Sequence, residues 1–151
     1  MAGLPFSLHD GGRKAAGFKG HAGDCAVRAI AIAEDRPYRE VYDELFAEAK
    51  AYNAKRPVRK RQNASPRTGV NRVVLRRYLA ARGWTWVPTA RVGQAPSIRL
   101  RPGDLPKHER LIVNLRKHVA AVICGHVCDT HDPCRDGTRP VFGYWTREGT
   151  R

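Results

Sequence analysis

The hydrophobic pattern of this chain changes its period once, after Gly83, and that change restricts the fold more than any other feature. Upstream of Gly83, apolar residues recur at intervals of three and four, as on one face of an α-helix. Downstream, short runs of apolar residues alternate or cluster as they do in strands. Helices followed by strands predict an α+β domain in which N-terminal helices pack on a C-terminal antiparallel sheet.

The first helix is predicted to begin at a cysteine. Asp24 is a suitable N-cap, Gly23 leaves the entering backbone free, and Val27 and Ile30 recur at helical spacing. Cys25 is therefore expected to be the first residue inside the cap.

Two further helices are predicted before Gly83. Asp35 is expected to cap a helix over 37–52, with Pro37 tolerated in its first turn. Thr68 is expected to cap the third helix, which Gly83 ends in a left-handed conformation. The residues expected to face inward on the third helix are Val70, Val73, Val74, Tyr78 and Leu79.

The strands are predicted from six short runs, namely 84–87, 97–100, 110–115, 119–124, 127–129 and 139–145. Gly125 and His126 are the expected turn between the fourth and fifth runs. That turn would pair positions near 119–122 with positions near 129–132. The end of one strand would then return beside the start of the other.

Cys25 has a distinctive predicted environment. A thiolate in the first turn of a helix faces unpaired backbone N–H groups and the positive end of the helix dipole. These lower a cysteine pKa from about 8.5 toward roughly 3.5–7.5, which makes the sulfur nucleophilic near neutral pH. The alternative is that Cys25 is a small buried hydrophobic residue, and the local sequence leaves both interpretations open.

A cysteine nucleophile needs a base to take its proton and a third group to orient that base. His118 begins the most hydrophobic strand, and the following hairpin would return Asp129 or Asp132 beside it. Cysteine on a helix, histidine on a strand and aspartate on the next strand predict a triad of Cys25, His118 and Asp129. Asp129 is preferred because it ends the return strand, whereas Asp132 lies in the following turn.

This order of motifs resembles the papain-like cysteine peptidase superfamily. Within it, the chain is most similar to the compact double-glycine leader peptidases of bacteriocin transporters. Three stretches carry the likeness: Gly23-Asp24-Cys25-Ala26 at the nucleophile, His118-Val119-Ala120-Ala121-Val122 at the base, and Asp132-Pro133. Residues 24–31 and 38–42 also resemble papain-like proteins of bacteria and their mobile elements. The order of the motifs is similar over most of the chain, but few individual residues match.

The resemblance implies a thiol hydrolase that cleaves an amide or isopeptide bond of a peptide or protein through an acyl-enzyme, without a cofactor. It also implies a glutamine before the cysteine that helps to form the oxyanion hole. Here that interval offers Lys19 and His21 but no Gln or Asn. A poorly placed donor would cost on the order of 3–4 kcal/mol of transition-state stabilisation. A weak or inactive papain-like scaffold is the alternative.

A metal site is the competing use of the cysteines. Cys124, Cys128, His131 and Cys134 lie close together in the sequence, with His126 nearby, and thiolates with imidazole suit Zn²⁺. Their spacing matches no common zinc motif, and Cys124 would have to leave its strand to join. We therefore expect no metal, with Cys124 buried in the sheet and Cys128 and Cys134 incidental.

The positive charge is concentrated in one segment. The net charge is +14, and between Ala49 and Gly103 there are 14 Lys and Arg but no Asp or Glu. A basic patch on the aperiodic loop 53–67 and the next helix would comprise Arg56, Arg59, Lys60, Arg61, Arg67, Arg72, Arg76 and Arg77. Such a patch attracts nucleic acid or an acidic protein. Charge that only maintains solubility is the alternative.

The length of 151 residues predicts one domain over 23–151, after a loose lead-in over 1–22. We identify neither a signal peptide nor an apolar run of roughly 18 residues, the length that a membrane span needs. The expectation is a cytoplasmic protein with reduced thiols and no membrane partner.

Overall fold

The computed structural model describes residues 2–20 and 23–149, which form an α+β structure with three α-helices and a mixed six-stranded sheet. The elements are β1 (Phe6–Leu8), α1 (Cys25–Glu34), α2 (Tyr38–Ala54), α3 (Arg72–Ala81), β2 (Thr85–Pro88), β3 (Arg110–Leu115), β4 (His118–Ile123), β5 (His126–Asp129) and β6 (Gly143–Thr146). Two short 3₁₀ turns, Val58–Lys60 and Pro66–Thr68, lie between α2 and α3. The strand order is β1-β5-β4-β3-β6-β2.

The first strand makes the sheet mixed, so the prediction of an antiparallel sheet is wrong at one edge. β1 runs parallel to β5, with Phe6 opposite Val127 and Leu8 opposite Asp129. The other strand pairs are antiparallel. The segment predicted as a loose lead-in therefore supplies an edge strand. Its three residues are too few for a recognisable alternation, and only the distant partner strand makes them a strand.

The β4–β5 hairpin turns one residue earlier than predicted. Cys124 and Gly125 form the turn, with φ of 48° and 79°, the two left-handed residues that a tight two-residue hairpin requires. The register pairs Ile123 with His126 and Ala121 with Cys128. This register is shifted by two residues from the prediction, and a shift of two keeps every side chain on its predicted face.

Two predicted caps are replaced by other residues. Asp35 ends α1 in a left-handed conformation with φ of 51°, and Pro37 holds the N-cap position of α2. Thr68 belongs to a 3₁₀ turn, while Asn71 caps α3 by accepting from the backbone N–H of Val73 at 2.8 Å. Val73 is consequently exposed on the first turn of α3, where the sequence predicted an inward position.

The sheet is covered on both faces. Val27 and Ile30 of α1 share one apolar cluster with Ile112 of β3 and Ala121 of β4. The alternate residues of these strands belong to a second apolar cluster, which residues from loops complete. Its members are Leu4, Leu100, Leu105, Leu111, Val113, Leu115, Ala120, Val122, Val127, Cys134 and Val141. Because each buried aliphatic side chain stabilises the fold by roughly 1.5–3 kcal/mol, the contact between α1 and the central strands fixes the N-terminus of α1 relative to β4.

Two strand predictions differ clearly from the structure. Residues 97–100 form no strand, and only Arg99 makes an isolated bridge, to Pro140. The last strand begins at Gly143 rather than at residue 139.

Among the helices described, none has the length and apolar character needed to cross a membrane.

Candidate active site

The predicted position of Cys25 is confirmed: it is the first residue of α1 and is partly buried. The predicted role of Asp24 is not, because its side chain forms no capping hydrogen bond. The buried Asp24 carboxylate instead accepts from the hydroxyl of Tyr38 and pairs with Arg13 at 3.1 Å and Arg28 at 3.3 Å. Asp24 therefore anchors the segment before the cysteine to α2 and to the next turn of α1.

His118 and Asp129 meet where β4 begins and β5 ends. Nε2 of His118 lies 2.6 Å from Oδ2 of Asp129, and Asp129 is buried. The other carboxylate oxygen accepts from the backbone N–H of Thr130 at 2.7 Å, and the backbone carbonyl of Asp129 accepts from the N–H of His9 at 2.8 Å. Both the side chain and the backbone of Asp129 are thus held in place.

The His118 side chain and the backbone N–H of Val119 lie close enough to the Cys25 thiol to favour its thiolate. Burial raises the pKa of Cys25, but hydrogen bonding by these two groups and the charges of His118 and Arg28 outweigh burial, so that its pKa lies below the ordinary value. Burial opposes protonation of His118, while Asp129 and Cys25 favour it and raise the pKa of His118 to about 9. The arrangement favours a thiolate–imidazolium pair at neutral pH.

The pKa of the Asp129 carboxyl is lowered as well, which favours its charged form. Burial raises the pKa of this carboxyl, but the hydrogen bond and charge of His118, the N–H of Thr130 and the charge of Arg28 together lower it below its usual value. Asp132, the alternative orienting group, is exposed and accepts from the backbone N–H of Cys134 at 2.9 Å. The structure places Asp129, and not Asp132, against His118.

Arg28 lies next to Asp129 of the candidate site, a contact that was not predicted from the sequence. Its guanidinium lies 3.3 Å from Asp24 and 3.8 Å from Asp129, and it donates to the hydroxyl of Thr130 at 2.7 Å. It therefore links α1 to the end of β5. Its position four residues after Asp24 is a signal for an ion pair on one helix face, but that spacing does not indicate the contact with β5.

The predicted oxyanion donors precede Cys25. His21 lies outside the described residues. Lys19 is exposed, and its backbone carbonyl accepts from Arg67 and, at 3.3 Å, from Arg13. The backbone carbonyl of Arg67 also accepts a hydrogen bond from the N–H of Gly23, at 2.6 Å. Arg67 therefore holds the chain that leads into α1.

The four candidate zinc ligands are not brought together. Cys134 is buried with its sulfur toward the carbonyl of Leu4, and Cys128 donates to the carbonyl of His126. The prediction that Cys124 is buried in the sheet is wrong, because the strand ends at Ile123 and Cys124 lies exposed in the hairpin turn. Within residues 2–20 and 23–149, the group with metal-ligand geometry consists of His118, Asp129 and His131, and two of these already bind each other in the site.

The loop and helix of the predicted basic patch meet at one aromatic ring. Arg56 from the loop and Arg77 from α3 both lie over Tyr52 of α2, at 5.1 Å and 5.7 Å from the ring centroid. Arg76 lies over Trp86 at 6.0 Å. The exposed members of the patch are Arg59, Lys60, Arg61, Arg72, Arg76 and Arg77.

Comparison with known proteins gives no match to a family model, to a curated protein or to a solved structure.

Proposed function

We propose that the protein is a papain-like cysteine hydrolase that cleaves an amide or isopeptide bond through an acyl-enzyme. One observation carries the proposal: Cys25, at the N-terminus of α1, lies beside a histidine that lowers the pKa of its thiol, and Nε2 of that histidine lies 2.6 Å from a buried aspartate. Nucleophile, base and orienting group in contact are what thiol acyl transfer requires.

In the proposed reaction the two nitrogens of the His118 imidazole have different tasks. Nε2 is occupied by Asp129, so Nδ1 is the nitrogen left to exchange a proton with Cys25 and with the leaving group. A carboxylate against the N–H of one ring nitrogen fixes the tautomer and stabilises the imidazolium. Asp129 is therefore a positioning residue, because it acts on the substrate only through His118.

The reaction would proceed in two halves. The Cys25 thiolate attacks the carbonyl carbon, a C–S bond forms, and the C–N bond breaks as His118 gives its proton to the departing nitrogen. Water then attacks the thioester after losing a proton to His118. The C–S bond breaks, the carboxylic acid leaves, and the thiolate–imidazolium pair is restored.

The oxyanion would be held by the start of α1. Asp24 turns its carboxylate to Tyr38 and the arginines and does not cap the helix. Because the first N–H groups of a helix have no partner within it, the backbone N–H of Cys25 can bind the carbonyl oxygen, with the helix dipole behind it. Lys19 and His21 remain the predicted side-chain contributors.

Acylation of Cys25 by p-nitrophenyl acetate, followed by mass spectrometry of the intact protein and its peptides, tests the proposal. We expect an acetyl group on Cys25 that is removed with time, and no such adduct in Cys25→Ala. Cys128 is a matched control because burial raises the pKa of its thiol. Equal acetylation of Cys25 and Cys128 would contradict an activated nucleophile.

Asp129→Asn is expected to slow acylation of Cys25 by roughly 10- to 100-fold, the worth of one hydrogen bond to a charged group. The amide can still bond to the ring but no longer stabilises its positive charge, so the pKa of His118 should fall. NMR titration of the His118 ring measures that fall directly. Asp132→Asn is the control, and an equal effect of both substitutions would contradict the assignment of Asp129.

Nucleic-acid binding is a second candidate function, favoured by the junction of loop and α3 at Tyr52. We expect salt-sensitive binding of duplex DNA that is unchanged in Cys25→Ser. Replacing Arg59, Lys60 and Arg61 by glutamine should reduce the slope of log affinity against log salt by up to about 2.7, since each phosphate contact contributes about 0.9. Fluorescence anisotropy measures this slope, with Lys107→Gln as control. No binding at low salt would exclude this function.

A further inference from the structure

A cavity of about 700 Å³ opens on the His118 side of the candidate site. Two histidines and four basic residues line it together with Pro96, Pro140 and Phe142, namely His118, His131, Arg116, Lys117, Arg135 and Arg139. The two imidazole rings lie 5.3 Å apart between their centroids. Cys25 does not line this cavity, so the cavity adjoins the base and not the nucleophile.

The residues that line the cavity carry positive charge and no negative charge. None of the described residues that line it is acidic. Within the described parts of the chain, its four cationic side chains form no ion pair. Burial and the nearby charge of Arg135 lower the pKa of Arg139, as expected where cations face one another. Four uncompensated cations at one cavity provide a strong field for an anionic group.

The cations are held on short turns beside the site. Arg116 and Lys117 form the two-residue connection between β3 and β4, in which Lys117 is left-handed with φ of 56°. Arg135 is also left-handed, with φ of 50°, and its carbonyl accepts from the N–H and hydroxyl of Thr138. Arg139 donates to the carbonyl of Arg116 at 3.1 Å, which joins the two turns.

The chemistry of acyl transfer identifies which half of a substrate would enter this cavity. The imidazolium must reach the departing nitrogen in order to protonate it, so the leaving half of the substrate lies on the His118 side. Resting on the proposed hydrolase function, we propose that this cavity binds the leaving half of the substrate through carboxylate groups, and that the enzyme prefers Asp or Glu directly after the bond it cleaves.

A peptide fits the cavity better than a nucleic acid does. A volume of about 700 Å³ lies in the range of about 300–1,000 Å³ that is usual for pockets that bind small ligands, whereas a nucleic-acid strand needs a continuous groove that tracks its backbone. Arginine binds carboxylates in a planar, bidentate geometry. The exposed basic residues that would attract a polyanion, Arg59 to Arg77, do not line the cavity.

Binding by the Cys25→Ala variant tests the cavity without any catalytic step. The probes are the C-terminal amides of Gly-Asp-Asp and Gly-Asn-Asn, which have nearly the same shape and differ in charge. We expect the acidic peptide to bind at least tenfold more tightly, and the preference to disappear when Arg116 and Arg135 are both replaced by glutamine. Arg139 is retained because it supports the Arg116 turn.

The matched control replaces Arg59 and Lys60 by glutamine, which removes the same charge outside the cavity. Isothermal titration measures affinity, and thermal unfolding confirms that both double variants remain folded. Equal binding of the two peptides, or equal loss in both double variants, would overturn the proposal. An oligothymidylate that binds at Arg116 and Arg135, while Gly-Asp-Asp does not, would overturn it in favour of nucleic acid.

Cleavage of a complex peptide mixture separates this inference from the proposed function. We expect Asp and Glu to be enriched in the two positions after the cleaved bonds, and this enrichment to be lost in the Arg116/Arg135 double variant. Cleavage without enrichment would overturn the inference and leave the hydrolase function standing. Selective binding of the acidic peptide without any cleavage would overturn the hydrolase function and leave an acidic-peptide site.

Discussion

Alkylation of Cys25 by iodoacetamide is expected to remain fast well below the pH at which an ordinary thiol ionises, and His118→Ala is expected to abolish that behaviour. Without the imidazolium, burial dominates and raises the pKa of the thiol, leaving only the Val119 N–H and the Arg28 charge to lower it. At pH 7 we expect alkylation to slow by roughly 10²- to 10⁴-fold, the range that a positioned base or acid contributes.

The pH profile of the wild-type protein should contain two steps. The first is the lowered pKa of Cys25, at which the thiolate–imidazolium pair forms and the rate rises. The second lies near 9, where His118 loses its proton and leaves a free thiolate. Because these groups interact, the two midpoints belong to the pair. In His118→Ala a single step at higher pH should remain.

The same pair links stability to pH. The pKa of His118 rises from its ordinary value to about 9 on folding, so its contribution to stability is fully present below the ordinary value. That contribution is lost as the pH rises through about 9. Urea unfolding of the wild-type protein and of His118→Ala across this range measures the difference, which should shrink toward alkaline pH.

His131→Ala is the matched control for His118→Ala. It removes the imidazole whose ring lies 5.3 Å from that of His118, while the bond between His118 and Asp129 is retained. Cys128 reports on non-specific reactivity in the same sample, because burial raises the pKa of its thiol. A wild-type midpoint at the ordinary thiol value, unchanged in His118→Ala, would exclude the ion pair.

Local patterns in the sequence predicted the α+β class and the start of α1 at Cys25. A helix N-terminus leaves its mark in neighbouring residues, as Gly23, Asp24 and Val27 do here. The contact between His118 and Asp129 was also predictable, because one short hairpin joins them and a register error of two residues does not change the faces. Both features depend on short separations along the chain.

Contacts between distant segments could not be predicted in this way. An aspartate before a helix has the same local sequence whether it caps the helix or, like Asp24, pairs with a tyrosine on another helix. β1 becomes a strand only because β5 accepts it in parallel. The cationic cavity joins two turns that are separated in sequence, Arg116 to Lys117 and Arg135 to Arg139. The positive charges of this cavity therefore do not form a single basic segment in the sequence.

Glu34→Ala is expected to cost about 3 kcal/mol of unfolding free energy, although Glu34 lies outside the candidate site. Its side chain is 1% exposed at the end of α1. The carboxylate accepts two bonds from Arg82, at 2.7 and 2.9 Å, and one from Arg147 at 2.7 Å. Breaking a buried ion pair by removing one partner typically costs about 3–5 kcal/mol. We take the lower end because both arginines keep contact with solvent.

Glu40, the exposed acidic residue of a neighbouring ion pair, provides the control. Glu40 bonds to Arg36 at 2.6 Å but is 51% exposed, so Glu40→Ala should cost less than about 1 kcal/mol. Burial raises the pKa of Glu34, but Arg82 and Arg147 lower it more strongly, so its net pKa lies below the ordinary value. Its contribution is therefore present above that value and is lost as the pH falls through the folded-state pKa.

Urea unfolding at pH 7 and at decreasing pH measures both effects of Glu34. We expect the difference between the wild-type protein and Glu34→Ala to be largest at neutral pH and to diminish in acid. Glu34→Gln keeps the shape of the side chain and removes only its charge, so it separates the ion pairs from packing. Because Glu34 lies at the opposite end of α1 from Cys25, the folded variants should alkylate Cys25 at the wild-type rate. Equal destabilisation by Glu34→Ala and Glu40→Ala would show that burial does not strengthen this cluster.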